Sequence, residues 1–225
     1  TFLKLRKTNP APYTSYIRLG KTVLVSSSPE QFLKVSNGVV STKPIKGTRP
    51  RGTDPLSDQL LAEELRSNEK ERAENLMIVD LMRNDLSQVS EPDDVVVEKL
   101  FEVESYASVH QLVSTVTAKL KPGLGVFDAV AACFPAGSMT GAPKIRAMEI
   151  LSELESGPRG IYSGCFGFVS FTGNAELAMT IRTIVFEEGK ALIGIGGGLT
   201  IDSVPEEELA ETKLKAKLLQ MAISK

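Results

Sequence analysis

The chain has 225 residues, of which 42% are apolar, 24% charged and 6% aromatic, with 26 Lys plus Arg against 28 Asp plus Glu. That apolar share supports a buried core and excludes a disordered or low-complexity chain. The formal charge of −2 gives no electrostatic reason to expect a nucleic-acid partner. No apolar run approaches the ~20 residues that a bilayer span needs, and no secretory signal opens the chain. Cys133 and Cys165 sit in apolar surroundings and read as reduced core residues of a cytoplasmic protein. The single histidine, His110, excludes a multi-His zinc site, so any catalysis rests on carboxylates, lysines, hydroxyls and backbone amides.

The chain opens with strands. Tyr13–Leu19 and Thr22–Ser28 flank Gly20-Lys21, and Phe32–Ser36 and Val39–Thr42 flank Asn37-Gly38, a strong hairpin signal because both turn residues need positive φ. A Pro/Gly-punctuated loop, Lys43–Asp54, leads into helical sequence over Ser57–Ser87. A strand over Asp94–Val103 and an amphipathic stretch over Val109–Leu120 follow. A helix over Val126–Phe134, the loop Pro135–Pro143 and a helix over Lys144–Glu155 come next. Strands return over Ser163–Phe171, Glu176–Phe186 and Lys190–Ile195, and the last helix covers Pro205–Ile223, with Ser203 and Glu206 spaced as a capping box. Hairpins, helices, hairpins and a closing helix make an α+β order with antiparallel sheets. Gly194–Gly198 lacks the helix that must follow a dinucleotide-binding glycine loop, so nucleotide binding is a poor reading.

Several groups carry candidate chemistry. On the last helix, Ala210, Leu214, Leu218 and Met221 form an apolar stripe at 100° per residue, and Glu208, Glu211, Thr212 and Lys215 form a polar one beside it. The polar stripe reads either as a solvated face with i,i+4 pairs or as carboxylates and a lysine lining a site for a metal-bound anion. Glu71 and Glu74 repeat that ambiguity at i,i+3 spacing. Arg182 in mid-strand suits bidentate capture of a carboxylate or a surface ion pair. Gly196, Gly197 and Gly198 offer close backbone approach and amides for an anion, or a tight turn. Lys46, fixed in a Pro/Gly loop, reads as a surface cation or a nucleophile.

Taken together, the stretches Asn9-Pro10-Ala11-Pro12-Tyr13, Ser28-Pro29-Glu30, PIKGTRPRG, AENLMIVDLMRNDL, GSMTGAPKIRAMEI, Arg159–Gly164, Thr180-Ile181-Arg182, Gly196–Gly198 and AETKLK resemble the chorismate-utilising enzymes. That family includes anthranilate, para-aminobenzoate, isochorismate and salicylate synthases. The resemblance implies antiparallel sheets packed together and flanked by helices, with residues 1–225 as one chorismate-binding catalytic domain, the C-terminal part of a longer chain. It implies Mg²⁺ held by Glu74 and Glu211, with Glu208 and Glu71 in support. It implies Tyr162 and Arg182 on the enolpyruvyl carboxylate, with the amides of Gly196, Gly197 and Gly198 and Lys215 at the same end. Thr48 and Ser138 match hydroxyl positions, and Glu30 matches an acid/base carboxylate near the ring hydroxyl. Lys46 in PIKGT is similar to the para-aminobenzoate (aminodeoxychorismate) branch, where other branches carry Ala. In that branch the lysine amine attacks C2 of chorismate as the C4 hydroxyl leaves, and ammonia from a glutamine amidotransferase subunit or domain then adds at C4. Gln111 stands where anthranilate synthases carry the His used for pyruvate elimination, and His110 beside it reads as structural. Anthranilate synthesis and a non-catalytic chorismate-binding fragment are the alternatives.

Overall fold

Hairpin chemistry sets the first turns. Asn37 and Gly38 adopt φ of 51° and 77° and close the hairpin of β3 (Gln31–Ser36) and β4 (Val39–Lys43). The structure, a computed structural model, describes residues 1–224. They fall into two compact units: Thr1–Glu30, Pro158–Phe166 and the chain from Ala178 onward form one, and Gln31–Gly157 with Gly167–Leu177 form the other.

The first unit is built on a four-stranded antiparallel sheet in the order β1-β2-β10-β11, comprising β1 (Tyr13–Leu19), β2 (Thr22–Ser28), β10 (Thr183–Glu187) and β11 (Lys190–Ile193). A short helix absent from the sequence expectation, α1 (Phe2–Thr8), supplies Leu5 to a core with Val25, Ile184, Leu219 and Ala222. The closing helix α7 runs over Pro205–Ile223, as the sequence implies. Its buried face differs from the expected apolar stripe. Leu219 and Ala222 are buried and Glu208, Thr212 and Lys215 half-buried, whereas Ala210, Leu214 and Met221 are exposed. The side chain of Leu218 lies outside the described residues. Positions 208, 212, 215, 219 and 222 share one face at the helical repeat, so the helix turns its polar stripe inward along one half and its aliphatic residues along the other. The capping box also does not form: the Ser203 hydroxyl donates instead to Glu208 Oε1 at 2.7 Å.

The second unit carries most of a seven-stranded antiparallel sheet. Its strands are β3, β4, β5 (Ile45–Pro50), β6 (Val96–Ser105), β7 (Val109–Lys119), β8 (Cys165–Val169) and β9 (Ala175–Met179). The order is β5-β7-β4-β3-β9-β8, with β6 also paired to β7. The expected loop at 43–54 thus contains a strand, because β7 supplies it with a ladder partner far along the chain. The expected helix over 57–87 is two helices, α2 (Pro55–Ser67) and α3 (Glu69–Ser87). Asp54 caps the first by accepting from Leu56 and Ser57 N–H, and Asn68 caps the second by accepting from Glu71 N–H. The expected strand over 176–186 breaks at Thr180–Arg182, where the chain leaves the seven-stranded sheet and enters the four-stranded one. Helices α4 (Val126–Cys133), α5 (Gly137–Thr140) and α6 (Lys144–Leu154) complete this unit. No residue of α6 is buried, and its Ile145, Met148 and Leu154 are exposed. Among the described residues no helix is long and apolar enough to cross a membrane. The fold class is α+β, with antiparallel sheets flanked by helices.

Candidate functional site

Two clusters hold the sequence-predicted residues, one in each unit. In the second unit, β5 slips register against β7 between Ile45↔Val113 and Thr48↔Gln111. Three steps on β5 face two on β7, so Lys46-Gly47 form a bulge. Gly47 has φ of 82°, and a Cβ there would lie 2.8 Å from Leu65 Cδ1 and 2.9 Å from Glu71 Cδ. Only glycine fits that conformation and that space. The bulge aims Lys46 at α3: Nζ is 3.5 Å from Glu74 Oε2, with the two side chains 17% and 14% exposed. Arg49, next along, binds Glu64 with a bidentate fork and Glu71 Oε1 at 3.4 Å. Glu64 holds the Arg49 guanidinium above its ordinary value. Lys46 is therefore half-buried and faces a carboxylate, while Arg49 has carboxylate partners of its own.

In the first unit, Ser163 N–H donates to Thr180 O at 3.1 Å and Thr180 N–H to Gly164 O at 2.7 Å, joining the Tyr162 segment to the Arg182 segment. Arg182 sits at the strand break with φ of 48°, a conformation uncommon outside glycine and typical of functional sites. Burial lowers its pKa and Glu211 raises it. Among the described residues no side chain hydrogen-bonds to its guanidinium or approaches it within an ion-pair distance. Tyr162 packs on the glycine segment so closely that a Cβ at Gly194 would lie 2.2 Å from its Cγ, and one at Gly196 would lie 2.9 Å from its hydroxyl. A Cβ at Gly197 would lie 3.3 Å from Glu208 Oε2. Lys215 Nζ donates to Gly196 O at 3.4 Å and pairs with Glu211 on the preceding turn. Tyr162, Arg182, the glycines, Glu208, Glu211 and Lys215 thus belong to one cluster. A half-buried arginine that meets only the more distant charge of Glu211 is, in such a cluster, suited to receiving a carboxylate.

The remaining residues are placed individually. Glu30 is buried in the short connection between β2 and β3, its carbonyl accepting from Met179 N–H at 3.0 Å. Thr48 is exposed on β5 opposite buried Gln111. Ser138 is half-buried in α5. Gly198 lies in the segment after β11. His110 is 2% exposed between Ser105 Oγ and Asp58 Oδ1, each 2.8 Å from a ring nitrogen, which is the structural role expected of it. Burial pushes the Cys133 thiol up to about 12. Sequence reading missed Gly194, whose close approach to Tyr162 has no local signature, and Asn75, a buried amide inside a run that reads as core helix.

For a metal, hard oxygen donors suit Mg²⁺. Each unit offers two carboxylates on one helix, Glu71 and Glu74 on α3 and Glu208 and Glu211 on α7. Among the described residues, no three His, Cys, Asp or Glu side chains gather into a metal cluster. The donor types fit; in the ion pairs seen here, cations occupy Glu71, Glu74 and Glu211.

The sequence matches the family described as "chorismate binding enzyme" over residues 1–221. It is 51% identical over 213 residues to the aminodeoxychorismate synthase of Streptomyces griseus, covering 94% of this chain and 30% of that protein. It is 47% identical over 211 residues to aminodeoxychorismate synthase component 1 of Salmonella typhimurium, covering 94% of this chain and 46% of that one. Among solved structures, anthranilate synthase component I of Streptococcus pneumoniae superposes with a TM-score of 0.87 at 42% identity, over 96% of this chain and 48% of that chain. The chain thus spans less than half the length of these relatives.

Proposed function

Because the chain belongs to the chorismate binding enzyme family, we propose that it aminates chorismate at C4 to give 4-amino-4-deoxychorismate, with Lys46 as covalent nucleophile. The observation that carries this reading is the bulge that turns Lys46 away from solvent and toward Glu74. A lysine that served only as a surface charge would need neither the bulge nor the glycine beside it.

In this reading, Arg182 and Tyr162 receive one carboxylate of the dianionic substrate, with the amides of Gly196–Gly198 and Lys215 beside them. Glu74 and Glu211, supported by Glu208 and Glu71, would hold Mg²⁺, which supplies charge neutralisation for the other carboxylate. Thr48 and Ser138 contribute hydroxyls to the ring. The Lys46 amine attacks only in its neutral form, and Glu30 takes its proton, which leaves Glu74, 3.5 Å from the amine, to the metal. The amine forms a bond to C2, the two conjugated ring double bonds shift toward C4, and the C4–O bond breaks. Glu30 protonates the departing hydroxyl, which leaves as water. Ammonia then bonds to C4, the ring double bonds shift back, the C2–N bond breaks, and the proton lost by the incoming nitrogen passes through Glu30 to Lys46. The balance is chorismate plus ammonia giving 4-amino-4-deoxychorismate plus water. The ammonia comes from a glutamine amidotransferase subunit or domain.

The test is intact mass spectrometry during turnover with chorismate, ammonium and Mg²⁺, together with product analysis. Lys46→Ala should lose the adduct and most product while still binding chorismate. If wild type never carries an adduct and Lys46→Ala aminates at an equal rate, the lysine is a loop charge. The likeness to an anthranilate synthase structure supports a second reading, anthranilate formation. Lys46 and Gln111 weigh against it, and release of pyruvate in the same assay would identify it.

A further inference from the structure

Asn75 is fully buried, at 0% exposure, on the face of α3 that meets the sheet. A buried amide is costly unless its donors and acceptor are engaged, and here they are. Nδ2 donates to Pro44 O and to Leu112 O, each at 3.4 Å, and Oδ1 accepts from the Ser114 hydroxyl at 2.5 Å. Ser114 is itself held from two sides. Its Oγ accepts from Phe101 N–H at 3.1 Å, and its own N–H donates to Pro44 O at 3.2 Å. Pro44 O thus receives both Asn75 and Ser114, immediately before the bulge that carries Lys46. The neighbour of Asn75 on the helix, Glu74, meets Lys46 itself. The same two segments are therefore joined twice, once by a buried amide to the foot of the bulge and once by a carboxylate to its side chain.

We infer that Asn75, locked by Ser114, is a positioning residue that sets the register of the Lys46 bulge against α3. A bulge leaves one residue unpaired in the ladder and so lacks the hydrogen bonds that fix a regular strand. The Asn75 amide supplies a fixed point from outside the strand, through backbone carbonyls rather than side chains. Such a clamp specifies where a nucleophile sits without touching it. An apolar residue of similar size would fill the same space but leave Pro44 O with one partner fewer.

The inference rests on the reading of Lys46 as nucleophile, and the experiment separates the two. Asn75→Leu and the milder Ser114→Ala are made in the intact protein, and also combined with Lys46→Ala. Circular dichroism and thermal melts establish which variants fold. The expected result is a fall in kcat of about 10–100-fold, the scale of a roughly 1 Å misplacement, with KM within about twofold. Added to Lys46→Ala, Ser114→Ala should change the residual rate no further. The second readout needs no turnover: an amine-acylating reagent is applied to the substrate-free protein, and Lys46 labelling is compared with that of exposed Lys99. Loosening the bulge should raise relative labelling at Lys46 severalfold. A folded Ser114→Ala protein with wild-type kcat and wild-type labelling overturns the inference, even if Asn75→Leu does not fold. A Lys46→Ala enzyme with full activity overturns the proposed function, while the labelling still decides the positioning.

Discussion

Removing Lys144 should damage this protein more than removing it together with its partner. Lys144 stands in the first turn of α6, where the helix dipole disfavours a cation. It is held there by Asp85 of α3, with Nζ 2.6 Å from Oδ2 and the side chains 17% and 5% exposed, and it also donates to Cys133 O at 3.0 Å. One ammonium therefore ties both ends of the Phe134–Pro143 loop, which contains Ser138, to α3. Burial pushes the Asp85 carboxyl above its ordinary value, against the pull of Lys144. Lys144→Met leaves that carboxylate buried and unpaired, which costs ~3–5 kcal/mol at neutral pH. At about 2–4 °C per kcal/mol for a chain of this size, the midpoint should fall by roughly 6–20 °C. A carboxyl whose pKa is raised on folding is bound to its proton more tightly in the native state. The penalty for its charge is therefore present at neutral pH and relieved as pH falls through the folded value. The deficit of Lys144→Met should accordingly shrink as pH is lowered from neutral. Asp85→Leu/Lys144→Met, which removes both charges, should recover most of the loss. Urea denaturation of wild type, both single variants and the double variant at several pH values closes the cycle. A Lys144→Met protein within about 1 kcal/mol of wild type at neutral pH, or a double variant as unstable as that single, would refute the reasoning.

Two further outcomes follow from particular contacts. Asp58 accepts from both arms of Arg51, from Gly52 N–H and from His110, and Arg51 foremost holds its carboxyl well below the usual range. A depressed carboxyl contributes stability above its unfolded pKa of ~3.9 and loses it as pH falls through the folded value, so Asp58→Asn should flatten the acid limb of a melting-temperature profile below pH 4; an unchanged limb would show that the cluster is not stabilising. Gly194→Ala places a methyl 2.2 Å from Tyr162 Cγ, so Tyr162 must move, and we expect weaker chorismate binding in calorimetry from a protein that still folds.

How far the sequence determines this structure differs from element to element. The strands flanking Asn37-Gly38, the helix over 205–223 and the helix starting at Lys144 were legible because turn chemistry and helical period act over a few residues. The strand at Ile45–Pro50 was not, since a stretch of Pro, Gly and cations reads as loop and its ladder partners lie 59–68 positions away in β7. The face of α7 was misjudged for a related reason. Periodicity finds both stripes of an amphipathic helix but assigns the apolar one to the core by default. In this chain the inward half of the helix turns Glu208, Thr212 and Lys215 toward Gly196 and Gly197, and the aliphatic core begins only at Leu219. Lys46 shows the same limit at the level of one side chain. Its residue type and its PIKGT setting are visible in the sequence, but whether an ammonium there faces solvent or a carboxylate depends on a register slip between two strands and on a buried amide from a helix. A motif therefore names the candidate. What the non-local geometry, the bulge and the Glu74 opposite it, decides is where that amine sits.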